Sequence, residues 1–246
     1  MTGPSLDVLV LSDLHYVREA DHVCPIEQRK CALGVTLVER AFGCLRERGV
    51  DVGLVVVLGD AVDNGEADGA DRDLAAVAGA VRRPGILVLA VPGNHDGSTA
   101  RFYRTFGCSP GHHEIGGYRF LLFADAIGPG HVTTRPQEGI DLPGKVARVQ
   151  PGMPLVALQH NPLHPAIESD YPFLLTNAAE VLSVYQDAGA ILSLSGHYHP
   201  GQAHCQVGQV SCYTVPALCE EPFCFAHVRL RGREVAVWEG ALGAQA

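Results

Sequence analysis

The stretch Val91-Pro92-Gly93-Asn94-His95-Asp96 sets an amide oxygen, an imidazole and a carboxylate side by side. Asn94 supplies a neutral carbonyl oxygen and His95 a titratable ring, a pairing that suits a metal site also in need of a proton donor. Four other clusters carry related chemistry: Ser12-Asp13-Leu14-His15, Gly59-Asp60-Ala61-Val62-Asp63, His160-Asn161-Pro162 and Gly196-His197-Tyr198-His199. Each cluster follows a short apolar run, at residues 6–11, 52–58, 85–90, 155–159 and 191–195. Runs so short and so rich in branched residues, closed by Gly or Pro, read as buried parallel strands. Open α/β sheets carry their chemistry at the carboxyl ends of strands. One strand ending in a metal donor means little; five point to a single site.

In order along the chain, D-x-H, G-D-x-x-D, G-N-H-D, a later lone His and G-H-x-H resemble the calcineurin-like metallophosphoesterases, over a span from Asp13 to His199. The resemblance implies a mixed α/β (α+β) fold: a two-layer mixed β-sandwich flanked by helices. It implies two divalent or mixed-valence metal ions, about 3.5–4 Å apart, that clamp a phosphoryl group and activate water between them. On the family pattern Asp60 is the bridge, Asp13, His15 and His199 complete one metal site, and Asn94, His160 and His197 complete the other. Such donors suit Mn or Fe, and also Zn or Ni, rather than Ca or Mg alone. His95 is implied to face the substrate as the acid for the leaving oxygen. Asp63 is implied to hold that ring and fix its tautomer. Asp96 reads as a turn residue. Tyr16, Asn161, His164 and Tyr198 flank ligands and are candidates for the pocket wall, with surface or packing roles as the alternative. His22, His112, His113, His131, His204 and His227 match no motif and read as solvated or core residues.

The elements between the clusters are less sharply written. Residues 27–48 predict a helix, with Ala32, Val35, Leu37, Val38, Ala41, Phe42 and Leu45 at helical spacing and Gly49 as C-cap. With its flanking strands it makes a βαβ unit, whose right-handedness forces a parallel pair. Residues 65–71 read as a polar loop, 74–81 as a short helix, and 99–106 as a helix capped by Ser98. The strand at 118–125, preceded by two glycines, is predicted to open the family's second sheet. Residues 127–152 are rich in Gly and Pro and give little periodic signal. A helix is predicted at 174–187, closed by Gly189. Short antiparallel strands follow at 202–207, 210–215, 224–230 and 234–239, with Gly232 in the last turn. No repeat or linker interrupts the chain, so residues 1–246 read as one domain.

With 246 residues, 47% hydrophobic and 18% charged, the chain can bury a large core. Its net charge of −9 and lack of a basic cluster argue against duplex nucleic acid. A small phosphate ester stays open, because bound cations supply positive charge locally. No signal peptide and no membrane-spanning run are evident, which predicts a cytoplasmic protein with no membrane partner. The eight cysteines show no C-x-x-C spacing and read as reduced thiols; the spacing of seven among Cys205, Cys212 and Cys219 reads as accidental.

Finer motif detail bears on substrate. The Ser/Thr protein phosphatases carry G-D-x-V-D-R-G and R-G-N-H-E. Here Asn64 stands in place of the first Arg, Pro92 precedes Gly93, and Asp96 replaces the Glu. The class III cyclic nucleotide phosphodiesterases, with G-D-x-x-D and P-G-N-H-D, are more similar. That resemblance implies a phosphodiester substrate, cyclic nucleotides among the candidates, attacked by a metal-bridging hydroxide. The alternatives are a phosphomonoesterase or nucleotide pyrophosphatase on the same metals, and a non-catalytic binding scaffold, against which the intact ligand set speaks. The loops at 17–26, 64–72 and 127–150 are the ones that would choose the substrate.

Overall fold

The computed structural model describes residues 3–19, 22 and 24–243. The chain runs β1 (Ser5–Leu11), α1 (Gly34–Glu47), β2 (Leu54–Val57), α2 (Ala70–Val81), β3 (Leu87–Ala90) and α3 (Thr99–Phe106). It continues through β4 (Gly111–Ile115), β5 (Tyr118–Leu122), β6 (Ala126–Ile127), β7 (Thr133–Thr134), α4 (Gln137–Val149), β8 (Leu155–Leu158) and α5 (Ala178–Asp187). It ends with β9 (Ala190–Ser195), β10 (Gln202–Val207), β11 (Val210–Thr214), β12 (Cys224–Arg231) and β13 (Glu234–Ala241).

These strands form two mixed sheets. The first has the order β13-β12-β1-β2-β3, with β1, β2 and β3 parallel and β12 and β13 antiparallel. The second has the order β10-β11-β9-β8-β5-β4, with a parallel centre and an antiparallel strand at each edge. Alternation along the strands shows how the layers stack. Tyr118, Phe120 and Leu122 of β5, Val156 and Leu158 of β8, and Leu192 and Leu194 of β9 join β1 and β2 in one core between the sheets. The intervening Leu121, Leu155, Ala157 and Ala190 face the other way, onto Val146 of α4 and Val181, Leu182 and Tyr185 of α5. Helices α1, α2 and α3 add Leu37, Leu45, Leu74, Val77 and Phe102 to the main core. The result is the two-sheet sandwich flanked by helices implied by the motifs.

Several boundaries differ from the sequence prediction. Helix α1 starts at Gly34, not at residue 27. Lys30 N–H bonds the Cys219 carbonyl and Arg29 reaches Asp63, so residues 25–30 are held across the molecule instead of coiled. A side chain on Gly34 would come within 3.1 Å of Tyr16, so the small residue lets the helix start close to the β1 loop. Helix α2 starts earlier, at Ala70, and α5 later, at Ala178. Ser98 precedes α3, but its side chain makes no capping bond. The second sheet opens one strand before expected: β4 pairs with β5 through Gly116-Gly117, both at positive φ, the pattern of a primed hairpin turn. The tail is not wholly antiparallel, since β11 runs parallel to β9.

The stretch at 127–152 contains the β6–β7 ribbon and α4, which carries Pro143 inside it. Arg135, between β7 and α4, is buried under the second sheet. Its guanidinium pairs with Asp125, donates to Tyr185 Oη at 2.7 Å and lies 3.7 Å over the Phe123 ring. Tyr185 Oη donates to Gln159 Oε1 and Gln159 Nε2 to Ser193 Oγ, each at 2.8 Å. A polar chain thus runs from α4's approach to the residue before His160. Replacing Arg135 by Ala would strand the Asp125 carboxylate, only 4% exposed. We expect Arg135→Ala to lower stability by about 3–5 kcal/mol, read by urea unfolding.

Candidate metal centre

The five parallel strands β1, β2, β3, β8 and β9 all deliver their carboxyl ends to one cleft, three from the first sheet and two from the second. Backbone bonds continue past the strand ends and fix the loops. Asp13 N–H bonds Gly59 O, His15 N–H bonds Asp60 O, and Gly196 N–H bonds His160 O. Asp13, His15, Asp60 and His197 all have left-handed backbone, at φ of 52°, 43°, 49° and 66°. Non-glycine residues hold that conformation at a cost, and such strain clusters at functional sites. Gly59 (φ 90°) fits where a side chain would strike Gly93 N and His160 Nδ1, and a side chain on Gly93 would strike the Asp60 carboxylate. These two glycines let the β2 and β3 loops close on each other.

Within the cleft Asp60 is central. Its Oδ1 accepts from His95 N–H at 2.8 Å, while Oδ2 lies 3.5 Å from His15 Nε2 and 3.4 Å from His160 Nε2. Asp13 is oriented by Ser12 Oγ and His197 N–H, both on Oδ2 at 2.5 and 3.0 Å. Its Oδ1 has no hydrogen-bond partner and lies 3.5 Å from His199 Nε2 and 4.0 Å from His15 Nε2. Asn94 Oδ1 is 3.2 Å from His160 Nε2. The rings of His160 and His197 have centroids 4.7 Å apart, and His197 Nε2 is likewise buried without a partner.

The far sides of three rings show which nitrogen faces inward. His160 Nδ1 meets the Leu58 carbonyl at 2.7 Å, His15 Nδ1 meets Asp63 Oδ1 at 3.3 Å, and His199 Nδ1 meets Glu220 Oε1 at 2.5 Å. At His160 and His199 the acceptor holds the proton on Nδ1 and turns Nε2 to the centre, while His15 Nδ1 also has the Arg29 guanidinium at 3.3 Å. His15 Nε2 and His199 Nε2 then sit 3.2 Å apart. At that distance either a cation lies between the two nitrogens or, in its absence, a proton on His199 bridges them. Donors sharing one ion at ~2.1 Å stand roughly 3–3.5 Å apart, a range that holds these separations except the 4.0 Å between His15 and Asp13. Two buried polar atoms without partners and a ring of inward-facing nitrogens and oxygens would fit a pair of cations sharing Asp60, with His15, Asp13 and His199 on one side and Asn94, His160 and His197 on the other.

Electrostatics agree. Burial penalises a proton on His160, but Asp60 beside it and Asp13 outweigh this and push it up to about 10. His199 likewise rises to about 9 against its burial, through Asp13 and Glu220. His197 falls to about 3, driven by burial and by the neighbouring His160. Without cations, then, protons on two rings balance the buried carboxylates; an entering metal displaces them.

His95 lies beside this group, its ring 4.6 Å from that of His15. Its Nδ1 meets the backbone carbonyl of Asp63 at 2.6 Å, which corrects the expected contact with the Asp63 carboxylate. That carboxylate serves His15, Arg29 and His22 instead, at 3.3, 3.3 and 3.2 Å. The difference follows from the loop after β2, which turns the Asp63 side chain toward His22 and Arg29 while its carbonyl stays under His95. Asp96 has more than a turn's role. Fully buried, it accepts from Ala61, Val62 and Gly93 N–H at 2.8, 3.2 and 2.8 Å, binding the β2 loop to the β3 loop.

The cleft, about 790 Å³, is walled by residues that match no motif: Arg29, Asn64, Glu66, His131, Tyr171, Phe173 and Glu220. His22 and His131, read from sequence as solvated or core, line it; Tyr16, Asn161, His164 and Tyr198 do not. Glu220 left no signal in sequence because only folding sets it beside His199. Cys219, buried, comes within 4.8 Å of His15 and His199 donors. Residues 20, 21 and 23 of the loop at 17–26 lie outside the described residues. Among the described residues no helix is long and apolar enough to cross a membrane.

Asp60→Ala removes the carboxylate between His15 and His160, so it should retain at most one ion of such a pair by elemental analysis. Glu220→Ala removes only the contact behind His199. It should weaken metal affinity about 10–100-fold, read by competition with a chelator.

No curated protein matches the chain. Solved structures do, at low identity. A dimetal phosphatase from Danio rerio is 18% identical, with a TM-score of 0.74, covering 98% of this chain and 100% of that one. The purple acid phosphatase PPD1 of yellow lupin (Lupinus luteus) seeds is 14% identical, with a TM-score of 0.68, covering 98% of this chain and 52% of that one. The calcineurin-like phosphoesterase YfkN of Bacillus subtilis is 12% identical, with a TM-score of 0.62, covering 98% and 91%. At these identities the likeness is one of fold. A sequence profile of calcineurin-like phosphoesterases matches residues 6–201. The chain therefore belongs to the calcineurin-like phosphoesterase family, hydrolases of phosphoesters built on a dinuclear metal centre.

Proposed function

We propose that the chain hydrolyses phosphodiesters, using His95 as proton donor to the leaving oxygen and the seven ligands Asp13, His15, Asp60, Asn94, His160, His197 and His199 to hold two divalent ions, Mn or Fe ahead of Zn or Ni. When bound, such ions would polarise the phosphoryl oxygens and make water a better nucleophile. His95 is held through Nδ1 by the Asp63 carbonyl. With Nδ1 so occupied, the imidazolium form has its Nε2 proton free to reach a leaving alkoxide.

The observation carrying the diester reading is the charge of the wall. One guanidinium, Arg29, shares the cleft lining with Glu66, Glu220 and Asp63, and lies 3.3 Å from the Asp63 carboxylate. That wall opposes the second negative charge of a monoester more than it opposes a diester, which carries one. An aromatic flank adds to the case. Tyr171 lies with its ring 4.7 Å from Phe173 and 5.8 Å from His131, and Phe173 lies 5.4 Å from His197. Such a flank suits a planar substituent such as a nucleobase. The presence of Arg29 in the cleft is the observation that favours the second reading, a monoesterase or pyrophosphatase, because a guanidinium can grip a phosphate oxygen.

A panel of a bis-aryl phosphate, 2′,3′- and 3′,5′-cyclic nucleotides, a nucleotide pyrophosphate and an aryl monoester, assayed with added Mn, decides between them. We expect the diesters to lead, with activity lost on chelation and restored by metal. A lead for simple monoesters overturns the diester reading. His95→Ala should lower kcat about 10²–10⁴-fold on an alkoxide-releasing diester, with two ions still bound. The loss should shrink on an aryl ester, whose leaving group needs no proton.

A further inference from the structure

A second group of donors meets outside the seven-ligand cage. His22, Cys24, Cys31 and Asp63 each present a donor atom, and all four atoms lie within 4.8 Å of one another. His22 Nε2 is 3.2 Å from Asp63 Oδ2. Cys31 is buried, Cys24 is half-buried, and both thiols are free. Asp63 divides its two oxygens: Oδ1 faces His15 and Arg29, and Oδ2 faces His22.

We propose that His22, Cys24, Cys31 and Asp63 bind a third ion, Zn²⁺, distinct from the catalytic pair. Two sulfurs, one imidazole nitrogen and one carboxylate oxygen form a donor set suited to zinc, and thiolate separates it from the N/O donors of the cage. In a tetrahedral zinc site the donors stand roughly 3.3–3.8 Å apart, so the cluster needs only a small contraction. Burial, Cys24 and Asp63 push the Cys31 thiol up to about 12. Zinc reverses that preference by displacing the thiol protons. Two thiolates and a carboxylate would leave the loaded site at −1, and Arg29 beside Asp63 Oδ1 opposes that residue.

The position gives the ion a task. His22, Cys24 and Cys31 come from the segment between β1 and α1, and Asp63 from the loop after β2. The same segment sends Ile26 and Arg29 into the cleft wall. A zinc clip there would fix the wall and tie it, through Asp63, to the His15 ring. The site is thus structural, and it stands whether the substrate is a diester or a monoester.

The test is protein purified from zinc-supplemented medium, without strong chelator, and analysed for metal. We expect three ions per chain in the wild type, at least one of them zinc, and two in Cys24→Ser/Cys31→Ser. Cobalt-substituted wild type should show a sulfur-to-cobalt charge-transfer band that the double variant lacks. His22→Ala keeps both thiols and should weaken that band and the third ion's retention, so the result does not depend on the double variant folding. No more than two ions in the wild type and no sulfur-to-cobalt band would overturn the proposal. So would a Cys24–Cys31 disulfide in freshly purified protein, found by peptide mapping.

Discussion

The Asp60 carboxylate is withdrawn from water and faces His15 on one side and His160 on the other. A buried anion is tolerated only with positive charge close by, and without cations the protons on His160 and His199 supply it. Cations between the same groups answer the need better, since they satisfy Asp13 and His197 at the same time. Most of the local architecture follows from placing that carboxylate. Left-handed backbone at Asp13, His15, Asp60 and His197 turns each side chain inward at the strand end. Gly59 and Gly93 remove the bulk that would keep the β2 and β3 loops apart. Asp96 then locks those loops from beneath with three N–H bonds.

Asp63 extends this order outward. One residue meets three rings: His15 and His22 through its two carboxylate oxygens, and His95 through its backbone carbonyl. The orientation of a candidate ligand, of a candidate acid and of the cleft's outer wall are therefore linked through the loop after β2. Arg29 joins the same group, which brings a guanidinium into the cleft from a segment with no family motif. The charge that would grip a substrate and the scaffold that holds the metal ligands are thus one connected network.

How legible all this was in the chain varied with the range of the interactions. The strands were readable because burial on both faces writes an unbroken apolar run, and the clusters after them because Gly and Pro end such runs abruptly. Helix α3, with Phe102 and Phe106 on one face, was readable for the same local reason. Helix α4 was not: it carries Gly139, Pro143 and Gly144, and it is anchored by Arg135 bonding to Asp125 and Tyr185 far along the chain. The start of α1 was misplaced because residues 25–30 have helical composition but are held by bonds to Cys219 and Asp63.

By itself, the sequence determined the donor types, their order, and their position at five strand ends, since these depend only on neighbours along the chain. Tertiary structure decided that three of those ends belong to one sheet and two to another, and that both sheets point the same way into one cleft. It also decided what stands behind each ring: Glu220 behind His199, the Leu58 carbonyl behind His160, and the Asp63 carbonyl, not its carboxylate, behind His95. Such partners are chosen by backbone direction and packing between segments distant in the chain, and no spacing or periodicity encodes them.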